Sequence, residues 1–290
     1  MADPIIDHLR NPTSRLNLKA TPRGRAAIEG IVADALIDGR GLSAKELEDV
    51  LTADLPLDNS FIENLWNDPK NKPFVEKFMN NELCKRCAEG DPVSLEAYKV
   101  YAVQDYFYLV DYVKFKALRL ATVLQYDLNA LKTELQSVSH TYGDAEGWKK
   151  TCIDDLGIDS AVFNTAERSV AELAYANFLQ NNCRMEDWFN LHVIVIACIY
   201  GWSVLSLKLY NDPKTDKTTQ FYKTFIEGNL DLSDPENPQL ARSARTLSAF
   251  LTANSQRWTS IIDDKEQYGL LFRTSLRLEV ALFNSGYEKV

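Results

Sequence analysis

The feature that most constrains this chain is the recurrence of apolar residues at helical spacing along nearly its whole length. Convincing period-two alternation, the mark of a half-buried β-strand, is absent. Strongly helical patterns cover residues 95–124, 164–182 and 185–210. We therefore predict an all-α fold. Residues 1–60 are predicted to form an N-terminal helical extension, and residues 61–290 the main domain.

Two local predictions concern the borders of these helices. Ser94 follows the loop "CAEGDPV" and is predicted to cap the long helix that begins near residue 95. In residues 125–165 we predict a helix around "LNALKTELQSVSH" and then a polar loop through Gly143, Gly147 and Gly157.

Composition excludes several classes of function. The chain has 290 residues and a net charge of -9, with no run of basic residues, whereas a nucleic-acid surface needs clustered Lys and Arg. Hydrophobic content of 46% and charged content of 25% are ordinary globular values. The N-terminus has no apolar core of signal-peptide length. We expect a cytoplasmic protein with no nucleic-acid partner.

One segment, "LHVIVIACIYGWSVLSL" at 191–207, is apolar enough to raise the question of a membrane span. It is near the lower length limit for a spanning helix, and His192, Gly201, Ser203 and Ser206 interrupt it. We predict a central helix buried on all sides in a soluble bundle, and no membrane partner.

Five cysteines, an odd number in a chain of ordinary size, favour reduced thiols over a disulfide framework. Cys84 and Cys87 have CxxC spacing, but no second CxxC and no nearby histidine pair would complete a zinc site. We predict that this pair lies in a surface loop and that the protein binds no metal.

The stretch "VYAVQDYFYLVDYV" carries an unusual helical stripe. Tyr98, Tyr101, Asp105, Tyr108 and Tyr112 fall along one side of the predicted helix. A solvated face would carry Lys and Glu, and an ordinary core face Leu and Val. An aromatic, hydroxyl-bearing and acidic stripe is typical of a pocket wall.

Two more reactive groups lie on apolar helices. Cys198 is centred in "VIVIACIYGW", where a free cysteine can also serve as a small core hydrophobe. Glu279 lies on the apolar side of its helix with Phe272, Leu276 and Phe283, so its carboxylate must be paired, hydrogen-bonded or shifted in pKa. An ion pair with Arg273 or Arg277 is the structural alternative.

Tyr175 lies on the amphipathic helix predicted over 164–182, and Trp202 lies on the helix that carries Cys198. Trp202 lies four residues after Cys198, on the same helical face. Each of these two aromatic residues could equally be a core residue. A thiol, two carboxylates and several ring hydroxyls would supply a nucleophile, an acid/base and stacking surfaces if they converge.

Four segments in order resemble the TenA family, also called thiaminase II, over about residues 61 to 287. "LWNDPKNKPFVEKFMNNEL" resembles the family's opening segment, and "YAVQDYFYL" resembles its signature "Y..QDY.YL". "AYANFL" with Cys198 following 23 residues after Tyr175 resembles its tyrosine–cysteine arrangement, and "FRTSLRLEVALFNSGY" its closing helix with a glutamate. The resemblance implies a haem-oxygenase-like all-helical bundle.

The same resemblance implies roles for matched residues. Cys198 would be the nucleophile that adds to an aminopyrimidine ring, Asp105 would bind and activate the ring, and Glu279 would be the acid/base. Tyr108 would stack on the planar substrate, and Tyr175 would hydrogen-bond near the thiol. The implied reaction is hydrolytic C–N cleavage of aminopyrimidine or thiamin in thiamin salvage, with no metal and no cofactor. By analogy a dimer or tetramer is expected.

This sequence departs from the family pattern at several pocket positions. Ala197 replaces the usual proline before the cysteine, and Trp202 stands where a tyrosine is common. Asn229 stands where an active-site tyrosine is expected. With Tyr101 from the stripe, Trp202 and Asn229 complete the predicted substrate-binding set, and the changes leave the natural substrate open.

Three alternatives follow. The enzyme could act on another small planar nitrogenous molecule in secondary metabolism, or the pocket could bind a ligand without catalysis. A haem or di-iron oxygenase on a related helical fold is poorly supplied with ligands, because the only histidines are His8, His140 and His192.

Overall fold

The computed structural model describes residues 60–122, 128–259 and 265–288, and these fold mainly as helices, which confirms the predicted all-α fold. Residues 1–59, with the predicted N-terminal extension, lie outside the described residues. The α-helices in chain order are α1 (Ser60–Asn67), α2 (Lys72–Met79), α3 (Glu82–Ala88), α4 (Pro92–Leu120), α5 (Leu128–Asp154), α6 (Val162–Thr165), α7 (Val170–Met185), α8 (Trp188–Val193), α9 (Trp202–Tyr210), α10 (Arg242–Thr259) and α11 (Lys265–Asn284).

Shorter elements complete the described chain. Two π-helical segments span Ala197–Gly201 and Tyr222–Ile226, and short 3₁₀ turns follow at Glu227–Asn229 and Ser285–Tyr287. Two short strands, β1 (Leu230–Asp231) and β2 (Gln239–Leu240), pair antiparallel with Leu230 opposite Leu240. Strands of two residues are too short to show a period, so the sequence pattern does not reveal them.

Helix α4 is the centre of the packing. It lies against α5, α7, α11 and the C-terminal 3₁₀ turn. Its N-cap is Asp91, whose carboxylate accepts from the Ser94 backbone N–H at 2.9 Å, so the prediction of Ser94 as the cap was wrong. Pro92 occupies the first helical position, where its missing N–H costs nothing, and this moves the helix start ahead of Ser94.

The predicted loop through Gly143 and Gly147 was also wrong, because α5 continues through both glycines to Asp154. A glycine inside a helix costs about 1 kcal/mol relative to alanine. Packing against α4 outweighs that cost: Trp148 Nε1 donates to the Ala102 carbonyl at 3.1 Å, and Cys152 is fully buried. Gly157, with a φ of +68°, does lie outside the helix.

The CxxC pair does not lie in a surface loop. Cys84 and Cys87 belong to α3, where both are buried, and Cys87 Sγ donates to the Ser94 carbonyl at 3.1 Å. Asn81 caps α3 by accepting from the Cys84 N–H, so α3 is a helix separate from α2. Both thiols are packing residues.

The apolar segment Trp188–Tyr210 is the one described helix long and apolar enough to cross a bilayer, and 67% of its most apolar window is buried inside the protein. Within it, residues 193–197 are at most 1% exposed. This burial agrees with the prediction of a central core helix, and packing in a core accounts for the hydropathy.

Candidate functional site

The predicted stripe on α4 is buried, and most of its polar atoms are unsatisfied. Four atoms on this face have no hydrogen-bond partner: the hydroxyls of Tyr101, Tyr108 and Tyr112 and Oδ1 of Asp105. They are half of the eight such buried side-chain atoms among the described residues. Buried polar groups are normally satisfied, so this concentration on one helix face indicates a place for a polar ligand or water.

Asp105 lies in the middle of this face and is 3% exposed. Burial raises the pKa of its carboxyl well above the ordinary value, and the nearby Glu279 raises it further. The Tyr101 hydroxyl lies beside Asp105 and partly offsets this rise in pKa. No described Lys or Arg forms an ion pair with Asp105. Burial and the neighbouring carboxyl thus both favour the neutral form of Asp105.

Glu279, on α11, is fully buried and receives two hydrogen bonds from other helices. The Tyr175 hydroxyl, on α7, donates to Oε1 at 2.7 Å, and the Trp202 indole Nε1, at the start of α9, donates to Oε2 at 2.8 Å. Burial raises the pKa of Glu279 to about 7, although these two bonds lower it. A carboxyl group with this pKa can both accept and return a proton near neutral pH.

The ion-pair alternative for Glu279 does not hold in the described residues. Arg273 pairs instead with Glu266, with 2.8 Å between Nη2 and Oε1, and donates to Asn71 Oδ1. Arg277 is exposed. Glu279 is therefore a buried carboxyl held by neutral donors.

Cys198 lies in the π-helical segment Ala197–Gly201, which interrupts the core helix. Segments of this kind occur frequently at functional sites. The thiol is 7% exposed and donates to the Val195 carbonyl at 3.3 Å. Burial and the nearby Glu279 raise its pKa to about 12, while Tyr108 and Lys116 lower it. The free thiol is therefore protonated.

Aromatic contacts show how these groups converge. The Tyr108 ring centroid lies 4.7 Å from that of Tyr175, and Tyr108 stacks on Tyr112 at 5.7 Å with 12° between the ring planes. Tyr175 connects this stack to Glu279. The structure thus brings together predicted residues from five elements, namely Tyr101, Asp105, Tyr108, Tyr175, Cys198, Trp202 and Glu279.

Asn229 is not joined to this group by any described contact. Its Nδ2 donates to the Phe225 carbonyl at 2.8 Å, and its own carbonyl accepts from Ser203 Oγ. The first bond is local to the turn, and the second joins the turn to α9. Among the residues that depart from the family pattern, Trp202 is the one whose side chain binds a predicted catalytic residue.

Two residues of the site were missed from the sequence. The side-chain amide of Gln104 makes two hydrogen bonds to the backbone just before α7. Its nitrogen donates to the Glu167 carbonyl at 3.0 Å, and its oxygen accepts from the Ser169 N–H at 2.7 Å. These bonds fix the start of the helix that carries Tyr175. Lys116 is buried one turn beyond Tyr112, with its ammonium 4.8 Å from the Tyr112 ring centroid. The four-residue spacing from Tyr112 is the signal that could have found Lys116.

No group of three or more His, Cys, Asp and Glu side chains in the described ranges is placed to hold a metal ion.

Comparison with known proteins identifies the family of this chain. The model of the TENA/THI-4/PQQC family matches residues 70–233, more than half of the chain. The chain belongs to the TENA/THI-4/PQQC family. The matched range of this family includes α4, Tyr175, Cys198 and Trp202, whereas Glu279 lies beyond it.

Two relatives of known name share modest sequence identity with this chain. A hydroxymethylpyrimidine/phosphomethylpyrimidine kinase of Saccharomyces cerevisiae is 27% identical over 151 residues, which are 52% of this chain and 27% of the relative. The chain thus spans about a quarter of that protein's length. The aminopyrimidine aminohydrolase of Halalkalibacterium halodurans is 23% identical over 225 residues, 78% of this chain and 91% of the relative.

Solved structures of TenA proteins share the fold. A TenA family transcription regulator from Silicibacter matches with a TM-score of 0.60 at 15% identity, over 79% of this chain and 96% of that one. A TenA homologue from Pyrococcus furiosus matches with a TM-score of 0.59 at 16% identity, over 78% of this chain and all of the other. These comparisons confirm the predicted TenA-like all-helical fold.

Proposed function

We propose that this chain is a hydrolase that cleaves the C–N bond at the methylene carbon of an aminopyrimidine, with Cys198 as the nucleophile. The similarity to an aminopyrimidine aminohydrolase, which extends over 91% of that relative, supports the reaction class. The family membership and the presence of the matched thiol and carboxyls support the same assignment.

The observation that carries the proposal is the pair of buried carboxyls without a cation. Asp105 and Glu279 are 3% and 0% exposed, and burial raises the pKa of each carboxyl. An unpaired carboxyl in a protein core costs several kcal/mol when ionised, so a purely structural role does not explain why the core contains two of them. An amine-bearing ring would satisfy both groups.

In the proposed reaction, Asp105 holds a ring nitrogen of the aminopyrimidine through its carboxyl group. Tyr108, which is itself backed by the ring of Tyr112, would stack on the ring plane of the substrate. The Tyr101 hydroxyl, beside Asp105, would bond a substituent of the ring. These groups orient the substrate over the Cys198 sulfur.

Glu279 carries the protons. With a pKa of about 7 against about 12 for Cys198, its carboxylate takes the thiol proton only as the sulfur adds to a carbon of the bound ring. Glu279 then gives that proton to the leaving amine as the C–N bond breaks. Water adds to the freed methylene carbon as Glu279 takes its proton, and Glu279 returns that proton to the sulfur as the C–S bond breaks, which restores the thiol and the carboxylate. The sum is amine plus water to alcohol plus ammonia.

A second candidate is the same chemistry on a different planar nitrogenous substrate. Its support is that the Trp202 indole occupies Glu279 Oε2 and that Asn229 is bonded to its own turn. Both features change the wall that faces the ring. A reaction on an aminopyrimidine remains the first candidate, because Asp105, Cys198 and Glu279 are all present.

The test is incubation of the full chain with 4-amino-5-aminomethyl-2-methylpyrimidine and, separately, with thiamin, followed by measurement of hydroxymethylpyrimidine. Turnover of the wild type is expected, with Cys198→Ala losing at least about 10³-fold in kcat because the covalent step is removed. Cys183→Ala is the matched control, since Cys183 is half-buried and its thiol faces the Phe115 carbonyl.

A wild type without turnover on either compound would overturn the aminopyrimidine assignment. Turnover retained by Cys198→Ala would overturn the mechanism. Loss of turnover in Cys183→Ala as well would point to a general effect of thiol removal.

We also propose that the protein works in the cytoplasm as a homo-oligomer. The five cysteines are all free, which fits a reducing compartment. Light scattering on the purified chain, expected to give the mass of a dimer or tetramer, tests the assembly.

A further inference from the structure

Lys116 is a buried ammonium with most of its bonding capacity unused. Its side chain is 9% exposed, and Nζ donates to Thr141 Oγ1 at 2.6 Å. An ammonium has three N–H donors, and this bond uses one. Within the described ranges Lys116 forms no ion pair with a carboxylate.

The acidic groups nearest to Lys116 are engaged elsewhere. Glu134 is bonded by Arg119 at 2.8 Å and by Trp188 Nε1 at 3.0 Å. Asp144 is half exposed and faces His140. Burial lowers the pKa of Lys116 to about 8, and the nearby guanidinium of Arg119 contributes to this decrease. The ammonium is thus still mostly charged at neutral pH and without its own counter-charge.

The unused donors lie at the end of the α4 face. Nζ is 4.8 Å from the centroid of the Tyr112 ring, whose hydroxyl is also unpartnered. Methionine or leucine would fill this volume without burying a charge, which costs several kcal/mol when unpaired. A buried cation beside an unsatisfied hydroxyl is suited to an anionic oxygen.

We propose that Lys116 and Tyr112 form a subsite for an anionic oxygen group, a phosphate monoester or a carboxylate, carried on a short arm of the ring bound at Asp105. This subsite rests on the proposed function, because it places the ring between Asp105 and Tyr112. The substrate class is then an aminopyrimidine with an acidic arm, and Lys116 determines specificity within that class.

The spacing along α4 is compatible with such a ligand. Lys116 follows Asp105 by eleven residues, but its ammonium folds back to Tyr112, seven residues after Asp105. Two helical turns separate the Cα atoms of Asp105 and Tyr112 by about 11 Å. That length is on the scale of one six-membered ring with a short acidic arm and a hydrogen bond of about 2.9 Å at each end.

The face therefore presents a carboxyl group at one end and an ammonium at the other. The Asp105 end, with Glu279 beside it, favours the amine and ring nitrogens. The Lys116 end favours an anion. Tyr108 lies between them with its ring stacked on Tyr112 and close to Tyr175.

The experiment is calorimetric binding of three probes to the full chain: hydroxymethylpyrimidine, its phosphate monoester, and the analogue with a carboxylate in place of the phosphate. Wild type is expected to bind at least one anionic probe about tenfold or more tighter than the neutral probe. Which anion is preferred distinguishes a phosphate subsite from a carboxylate subsite.

The deciding variant is Lys116→Met, which keeps the length and removes the charge. It is expected to bind the neutral probe as the wild type does and to lose the preference for the anionic probes. Lys116→Arg is expected to keep a preference. Lys114→Met is the matched control on the same helix, because Lys114 is exposed and paired with Asp111 at 2.8 Å.

Equal affinity of the wild type for the three probes would overturn the subsite, as would a preference that survives in Lys116→Met or disappears in Lys114→Met. Failure to bind any probe would overturn it as well. Absence of hydrolysis with an intact, Lys116-dependent preference would overturn the proposed reaction and leave the subsite standing. Hydrolysis without the preference for an anionic probe would overturn the subsite and leave the proposed reaction standing.

Discussion

Glu134 and Glu279 are both buried glutamates, but Glu134 is bonded by a cation and Glu279 by neutral donors. Glu134, on α5, is 2% exposed and is bonded by Arg119 at 2.8 and 3.0 Å, with His192 at 3.5 Å. Glu279, on α11, is fully buried and is bonded only by the neutral donors Tyr175 and Trp202.

The difference appears in the pKa values. Burial alone would raise the pKa of Glu134, but Arg119 and then His192 lower it well below its usual range. At Glu279 burial dominates and raises the pKa to about 7. The first group is permanently charged and serves stability. The second can change its protonation near neutral pH, which is what a proton-transferring residue needs.

The largest expected effect is that of Glu134→Gln on the stability of the protein. Removing the carboxylate leaves Arg119, 4% exposed, as a buried charge without its partner, and we expect the free energy of unfolding to fall by about 3–5 kcal/mol. Chemical denaturation of the purified variant measures it. Glu82→Gln is the matched control, because Glu82 pairs with Arg86 on the surface, and no measurable change is expected. Equal effects at the two sites would contradict the structural role given to Glu134.

A smaller effect is expected in the pH dependence of stability. Because the folded pKa of Glu279, about 7, lies above its ordinary value of 4.5, the native state keeps this proton while the unfolded chain has lost it. The free energy of unfolding should therefore fall as pH rises from 4.5 to 7, by up to about 3 kcal/mol from this group.

Glu279→Gln removes that ionisation. The difference in unfolding free energy between variant and wild type should grow in favour of the variant over this pH range, measured by urea titrations at several pH values. A difference independent of pH would show that Glu279 titrates normally. Glu134 acts in the opposite direction, because its lowered pKa gives stability that is lost as pH falls.

The smallest expected effect sharpens the account of Glu279. Tyr175→Phe removes a donor to its carboxylate, so its pKa should rise further, by about one unit, equivalent to about 1.4 kcal/mol. The acid limb of the kcat/KM profile should shift to higher pH by that amount. Tyr142→Phe is the matched control, because the Tyr142 hydroxyl donates to Glu146 at 2.7 Å on the exposed face of α5. An unshifted limb in Tyr175→Phe would assign that ionisation to another group.

The helices and the buried stripe of α4 were predictable, since periodicity of apolar residues reports which face is buried. The borders were less so. Pro92 and Asp91 set the start of α4 ahead of Ser94, and α5 passes through two glycines because its other face packs on α4. The π-helical segment at Cys198 has no signal in the pattern, because it differs from an α-helix by a single inserted residue.

Residue type likewise does not distinguish Glu134 from Glu279. Glu279 has Arg277 two residues away in the sequence and is not paired with it, whereas Arg119, which pairs with Glu134, is fifteen residues away on another helix. Only the packing of α5 against α4 brings Arg119 to Glu134, and only the meeting of α7, α9 and α11 gives Glu279 neutral donors. The same packing leaves Lys116 without an anion.

The sequence by itself determined that the chain is all-helical, that Asp105 lies on an aromatic face, and which residues resemble the family's reactive groups. These follow from local spacing, which the chain carries without folding. The tertiary structure decided which carboxyls are neutralised by a cation and which are not. That outcome depends on distances between helices far apart in the chain, because electrostatic energy in a core depends on the nearest charge and the water excluded around it.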